Sequence, residues 1–499
     1  MKSLWQKLHK IGDILHLPEI PNWLLAILVL VLVLRIPSFF EPYYYGDEMI
    51  YMTLGQGVRQ GATLYEDLHD NKPPLLYLTA AIAGSLFWFK VILTFWSIVT
   101  VIYFHKLAET LFKENTKLQK LATTIFALLT TIPLLEGNTV NAELFMIGPS
   151  IVAFLILISG GLNYKKIFLA GSLFGVATLF KVPAMFELPV IVFYWLITDT
   201  KNFKNIISKS AMLIAGFLSP IVVTFIWYFV QGVGMDYIKA AFLQNVGYLS
   251  SFRPDDIKKS FLERNLPLLT RGAVVLFGLV VLYLNKKRLS SKFILFSLWT
   301  LFALFAITLS ERPYPHYFIQ TLAPLSFLLG MLFLETSFEQ VLVILPITLS
   351  VFVPVFYKFY FYPTSSYYIK FVQFATKNLT QEKYFSTFSP YVNRNYELAQ
   401  FLATSSTKKD RVFMWDSDSA AVYAMAKRLP PVKYTVPYHV NDFSSKKEIA
   451  AQLNLHPPKF IILTTELKFN EISTLLSKRY LMIQQIENAN VYTRVDLAK

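Results

Sequence analysis

The chain has 499 residues, of which 54% are hydrophobic and only 16% charged, with a net charge of +15 and no cysteine. Its mean hydropathy is +0.45. These values exclude an ordinary soluble globular domain, where about a quarter of the residues are charged, and they exclude disulfides, thiolate metal sites and cysteine nucleophiles.

Apolar runs recur from Trp23 to Phe359, several of them near the roughly 20 residues that cross a bilayer as helix. The first, WLLAILVLVLVLRIPSFF, is too long for a signal-peptide core and lacks a small-residue cleavage site, so it is expected to remain as an anchor. Basic residues then fall in alternate connections. They are Lys2, Lys7 and Lys10, then Lys106, Lys113, Lys117 and Lys120, then Lys165 and Lys166. Lys201, Lys204 and Lys209 follow, and finally Lys286, Lys287, Arg288 and Lys292. Positive charge stays on the cytoplasmic side, which makes these connections internal. The net charge therefore serves membrane orientation, and no nucleic-acid partner is implied.

The complementary connections, 41–89, 136–143, the turn near Lys181, 232–270 and 311–316, are then expected to face outward. The pattern predicts a polytopic α-helical protein of the cell (plasma) membrane, with about 11 (10–13) transmembrane helices. Its parts are a cytoplasmic N-terminus (1–22), a transmembrane domain (23–360) and an extracytoplasmic C-terminal α/β domain (361–499). The stretch KPPLLYLTAAIAGSLFW is read as a helix at the outer interface, with Pro73 and Pro74 in its first turn, since a span there would invert the charge pattern downstream. In the tail, 391–405 and 446–455 read as amphipathic helices, and RVFMW, KFIILTT and NVYTRV as strands.

Polar groups converge on the outward loops. YYYGDEMIY places Asp47 and Glu48 at a helix start, where an N-cap and a first-turn acid are a sufficient structural explanation. Lys72 and Lys181 fit snorkelling interfacial lysines equally well. The late loop ERPYPHYFIQ carries Glu311, Arg312, Tyr314 and His316, which fit either an aromatic belt with a charged cap or an anion site at the membrane surface. Together the loops suit one reaction: cations grip a lipid-linked phosphate while a carboxylate takes a proton from an acceptor hydroxyl that attacks the sugar. Asp47 is the expected base, with a pKa raised by its aromatic surroundings.

Asp47-Glu48, DNKPPLLYL, GNTVNAELF, GVATLFKVPAMF and PYPHYFIQTLAPLSFLLG, in this order and spacing, resemble one group of proteins. It is the bacterial protein O-mannosyltransferase-like (family 39) and lipid A aminoarabinose transferase-like (family 83) group of GT-C glycosyltransferases. The resemblance runs over about 43–334, and the tail is similar to the extracytoplasmic domain of bacterial members. It implies a GT-C fold, a polyprenyl-phosphate sugar donor, inverting transfer and an active site facing away from the cytoplasm. It also implies Asp47 as catalytic acid/base, with Glu48 as its acceptor-side partner. Lys72, Arg312, Tyr314 and His316 become donor-phosphate contacts, and Glu143 an acidic group of the second loop. Where the family has an arginine after the interfacial helix this chain has Lys90, which cannot reproduce a bidentate grip.

The implied partners are the lipid-linked donor, membrane lipid, and a glycan, lipid or protein acceptor. No cofactor is required by this chemistry, and no metal site is indicated. A divalent cation on Asp47, Glu48 and Glu143 stays open as the oligosaccharyltransferase-like variant. The rival class is a transporter or flippase of a lipid-linked glycan, which would place its polar groups near the bilayer midplane and repeat its halves.

Overall fold

The computed structural model describes residues 20–199, 202–247 and 260–495. Lys2, Lys7, Lys10 and nearly all of the expected cytoplasmic segment 1–22, together with Lys201 and the middle of the 232–270 connection, lie outside the described residues.

Among the described residues, seven helices are long and apolar enough to cross a membrane. They are Asn22–Phe40, Leu86–Leu111, Phe203–Val230, Leu262–Asn285, Ser291–Thr308, Pro315–Leu334 and Phe338–Phe356. Shorter apolar helices cover Ala142–Ile158 and Val182–Thr198, and Thr116–Leu129 and Tyr164–Phe180 carry the chain back between them. The chain is a multi-pass membrane protein. Lipid contact explains surfaces that no soluble protein would tolerate: on Phe203–Val230, Val223, Trp227, Phe229 and Val230 are all exposed.

Two glycines let the bundle close. A Cβ on Gly171 would stand 2.1 Å from the Leu213 carbonyl, and one on Gly216 would stand 2.1 Å from that of Phe168. Helices Tyr164–Phe180 and Phe203–Val230 thus approach backbone to backbone, as small residues permit inside membranes. Their polar ends are sorted. Lys90 starts the Leu86–Leu111 helix and Lys106 lies near its end, about 24 Å further along the axis at 1.5 Å per residue. Lys165, Lys166, Lys204 and Lys209 mark the starts of the helices whose far ends reach Lys181 and Val230. The basic clusters and the outward-loop residues therefore occupy opposite ends of the bundle.

The interfacial segment is a separate helix, Leu75–Ala83, ended by Gly84 in the left-handed region (φ 68°) and followed by a turn into Leu86–Leu111. Pro73 and Pro74 stand just before that helix rather than inside its first turn, since Pro74 is its N-cap residue.

The tail forms a four-stranded mixed sheet of order β1-β2-β4-β3, with β1 Val412–Trp415, β2 Phe460–Thr464, β3 Tyr480–Ile486 and β4 Ala489–Arg494. Only the β1–β2 pairing is parallel. Val412 and Met414 pack with Leu398 and Leu402 on one face, while Phe413 and Trp415 pack with Ile449 and Leu453 on the other. Cover on both faces is why this strand reads as a continuous apolar run. The amphipathic helices form at Val392–Ser405 and Lys446–Leu455 as expected. The third strand, YLMIQQI, was not anticipated. It lies at the sheet edge with Leu481, Met482 and Ile483 exposed, so its pattern carries no alternation to read.

This domain is docked on the segment 53–69. The His69 amide donates to the Lys433 carbonyl (2.8 Å), Thr53 to the Ala420 carbonyl (2.8 Å) and Gln60 to the Lys427 carbonyl (3.2 Å).

Candidate active site

A cavity of about 1010 Å³ opens between the C-terminal domain and the helix ends remote from the basic clusters. Asp47, Lys72, Glu143, Lys181, Arg312, Tyr314 and His316 all line it. Seven of the eight residues singled out from the sequence are thus brought together, from five separate stretches of chain. Its remaining wall is largely apolar, with Met146, Met185, Phe186, Leu243, Leu268 and Phe305.

Asp47 sits in the first turn of the helix Gly46–Arg59 and makes no capping bond there. Its Oδ2 accepts from the Tyr51 hydroxyl (2.9 Å) and lies 3.7 Å from Lys72 Nζ. Lys72 in turn lies 3.5 Å from Asp70, which also accepts from the Tyr77 hydroxyl (2.7 Å) and the Asn71 amide (2.7 Å). Burial raises the Asp47 pKa, but the charges of Lys72 and His316 outweigh it and hold the carboxyl below its ordinary value. The expectation of a raised Asp47 pKa is therefore corrected, because the neighbouring charge of Lys72, then that of His316 and the Tyr51 hydroxyl bond, outweigh desolvation. Asp70 behaves alike: burial opposes ionisation, but Lys72, His439 and its hydrogen bonds bring it to about 2.

Glu48 is the carboxyl whose pKa is raised, to about 7, chiefly by burial and against the pull of Lys90. It does not reach the cavity. Its carboxylate accepts from the Val140 amide and pairs with Lys90 at 2.5 Å, with no side-chain exposure on either residue. Glu48, expected on the acceptor side, turns inward from Asp47 because adjacent helical positions face about 100° apart. Lys90 is likewise no phosphate contact. It is locked between Glu48, Glu41 (2.8 Å) and the Asn138 carbonyl (3.0 Å).

Across the cavity Glu143, in the first turn of Ala142–Ile158, pairs with Lys181, whose Nζ lies 4.1 Å from the centre of the Tyr317 ring. His316 Nε2 is 3.8 Å from Glu143, and its Nδ1 meets Glu136, which also accepts from the Tyr45 hydroxyl (2.8 Å). Tyr314 stacks on His316 with centroids 5.6 Å apart and a 14° interplanar angle. Glu311 faces away to pair with Arg271. Glu136, Tyr45 and Asp70 are site residues that sequence reasoning passed over. Glu136 opens the second outward loop and its acidity was the available signal; its partnership with His316 spans 180 positions and leaves no local trace.

Among the described residues no group of three or more His, Asp and Glu side chains is arranged to hold a metal ion. Asp47, Glu48 and Glu143 do not converge, since Glu48 is spent on Lys90.

Residues 393–494 match the family model described as "Putative competence-induced protein Ccs4 C-terminal domain". No curated protein matches the chain. Among solved structures it is similar to ArnT from Cupriavidus metallidurans bound to undecaprenyl phosphate, at a TM-score of 0.55 and 12% identity, over 95% of this chain and 98% of that chain. The apo state of the same protein matches over the same shares at a TM-score of 0.53 and 12% identity. The chain has the fold of ArnT. The expected GT-C architecture, a helical membrane domain with a C-terminal α/β domain, is present among the described residues.

Proposed function

We propose that the protein is a membrane glycosyltransferase that moves a sugar from a polyprenyl-phosphate donor to an acceptor hydroxyl at the extracytoplasmic face. The observation that carries this reading is that Asp47 and the cations Lys72, Lys181 and Arg312 open on one cavity with an apolar wall. Its shape accommodates a lipid chain and a charged head together. The fold shared with a protein solved with undecaprenyl phosphate supports it.

The acceptor oxygen attacks the anomeric carbon and gives its proton to Asp47. The bond from that carbon to the phosphate oxygen breaks, and the electron pair leaves with the phosphate, so configuration inverts. Lys72, Lys181 and Arg312 stabilise the extra negative charge on the departing phosphate, as fixed cations do for developing anions. Each lysine is held in place beforehand by a carboxylate, Lys72 by Asp47 and Asp70 and Lys181 by Glu143. A phosphate arriving at Lys72 takes over part of its charge from Asp47, which makes Asp47 a stronger base once the donor is bound. His316 and Tyr314 form the polar rim that orients the head group.

Purified protein incubated with membrane extract and a panel of radiolabelled polyprenyl-phosphate sugars is expected to transfer label. Turnover of nucleotide sugars in place of lipid-linked ones overturns the reading.

A further inference from the structure

The C-terminal domain contributes its own wall to the cavity. The short helix Pro437–Phe443 brings Tyr438, His439, Asp442 and Phe443 to the lining. None of these stood out in the sequence, and the mechanism above uses none of them.

His439 is 5% exposed, and its ring is fixed by Tyr438 (centroids 4.7 Å apart) and Phe443 (5.8 Å). Its Nε2 faces Asp70 Oδ1 at 3.6 Å. An ionised carboxylate only accepts, so the nitrogen turned to it carries the hydrogen. Burial lowers the His439 pKa, which favours the neutral ring near pH 7 and leaves Nδ1 as an acceptor. That Nδ1 is closed to solvent and takes no hydrogen bond, so it is not presented to the cavity, and the ring serves to hold the helix against Asp70. Asp442, exposed on this wall, supplies two acceptor oxygens. Tyr438 is 41% exposed and offers an aromatic face.

The two sides of the cavity therefore differ in chemistry. The membrane-domain rim presents cations, which suit phosphate oxygens. The C-terminal wall presents acceptors and a ring, which repel phosphate and suit hydroxyl donors on a ring with an apolar face. We infer that the helix Pro437–Phe443 is the sugar-binding wall, with Asp442 accepting from hydroxyls of the transferred saccharide, Tyr438 stacking on it and His439 positioning the helix against Asp70. This rests on the reading of the cavity as a glycosyl-transfer site, and it assigns sugar selectivity to the C-terminal domain.

Saturation-transfer NMR on the full detergent-solubilised chain, with hexose and pentose 1-phosphates as probes, tests it without turnover. Ring-proton signals are expected with the wild-type chain and with Asp47→Asn. Affinity should fall about tenfold or more in Asp442→Ala and Tyr438→Ala, and less in Asp442→Asn, whose amide oxygen still accepts. Tyr438 is exposed enough that its replacement leaves the fold intact, which a thermal unfolding curve verifies. Ring signals that persist unchanged in both Tyr438→Ala and Asp442→Ala, or that no probe shows, overturn the inference. Lipid-linked transfer by the wild type would still stand in that case. Conversely, sugar binding on this wall without transfer would sink the glycosyltransferase reading alone.

Discussion

Lys72 Nζ lies 3.7 Å from the Asp47 carboxylate and 3.5 Å from that of Asp70, so one cation at the cavity edge serves two carboxylates. Removing it should act through charge. In Lys72→Ala the Asp47 pKa rises, and the acid limb of the kcat/KM profile shifts to higher pH. Transfer falls by about a hundredfold through lost stabilisation of the leaving phosphate, and Lys72→Arg recovers part of it. The sign follows from the lowered Asp47 pKa: the stabilising charge is present above the ordinary Asp value and is lost as pH falls through the lowered one. A pH–rate profile of the variant that overlays the wild type contradicts this coupling.

Glu48 has the opposite sign. Its pKa is raised from 4.5 to about 7, so the folded state holds its proton more tightly than the unfolded chain does. Its contribution to stability is complete below pH 4.5 and lost as pH rises through about 7. Glu48→Gln should flatten the dependence of Tm on pH across that window and leave the acid limb of activity in place. Unfolding curves recorded from pH 4 to 8 decide it.

Lys90 neutralises Glu41 and Glu48 where neither meets water. Lys90→Ala leaves two buried carboxylates facing each other, a change that costs roughly 3–5 kcal/mol when one partner of a buried pair is removed. Loss of folded protein is expected, with recovery in a triple variant that adds Glu41→Gln and Glu48→Gln. A Lys90→Ala protein that melts like the wild type contradicts the structural role.

The chain lacks cysteine, which makes its orientation directly measurable. Glu66 and Lys165 are exposed at opposite ends of the bundle. In intact cells a membrane-impermeant maleimide should label Glu66→Cys and spare Lys165→Cys. The reverse pattern would place the cavity on the cytoplasmic side.

Much of this architecture is legible in the residues. Basic clusters at Lys106–Lys120 and Lys286–Lys292 mark one side of the bundle because charge resists burial in lipid, and Asp47, Lys72 and His316 stand out as polar groups between apolar runs. What stayed hidden depends on contacts across the chain. Nothing near Glu48 foretells that Lys90 will claim it, and nothing in VPYHVNDF foretells that His439 will face Asp70. Asp418 shows the limit locally: it occupies the N-cap position before Ser419–Ala426 as its spacing suggests, yet its carboxylate accepts from Asn395 instead of capping (3.0 Å).

Asp47→Asn is the decisive substitution, because the amide keeps the size of the carboxyl and removes its ability to take a proton. Transfer from a polyprenyl-phosphate sugar by the purified variant should fall by about a hundredfold to ten-thousandfold, with melting temperature and sugar-phosphate binding close to wild type. Transfer at the wild-type rate would contradict the account, since Asp47 would then not be the base.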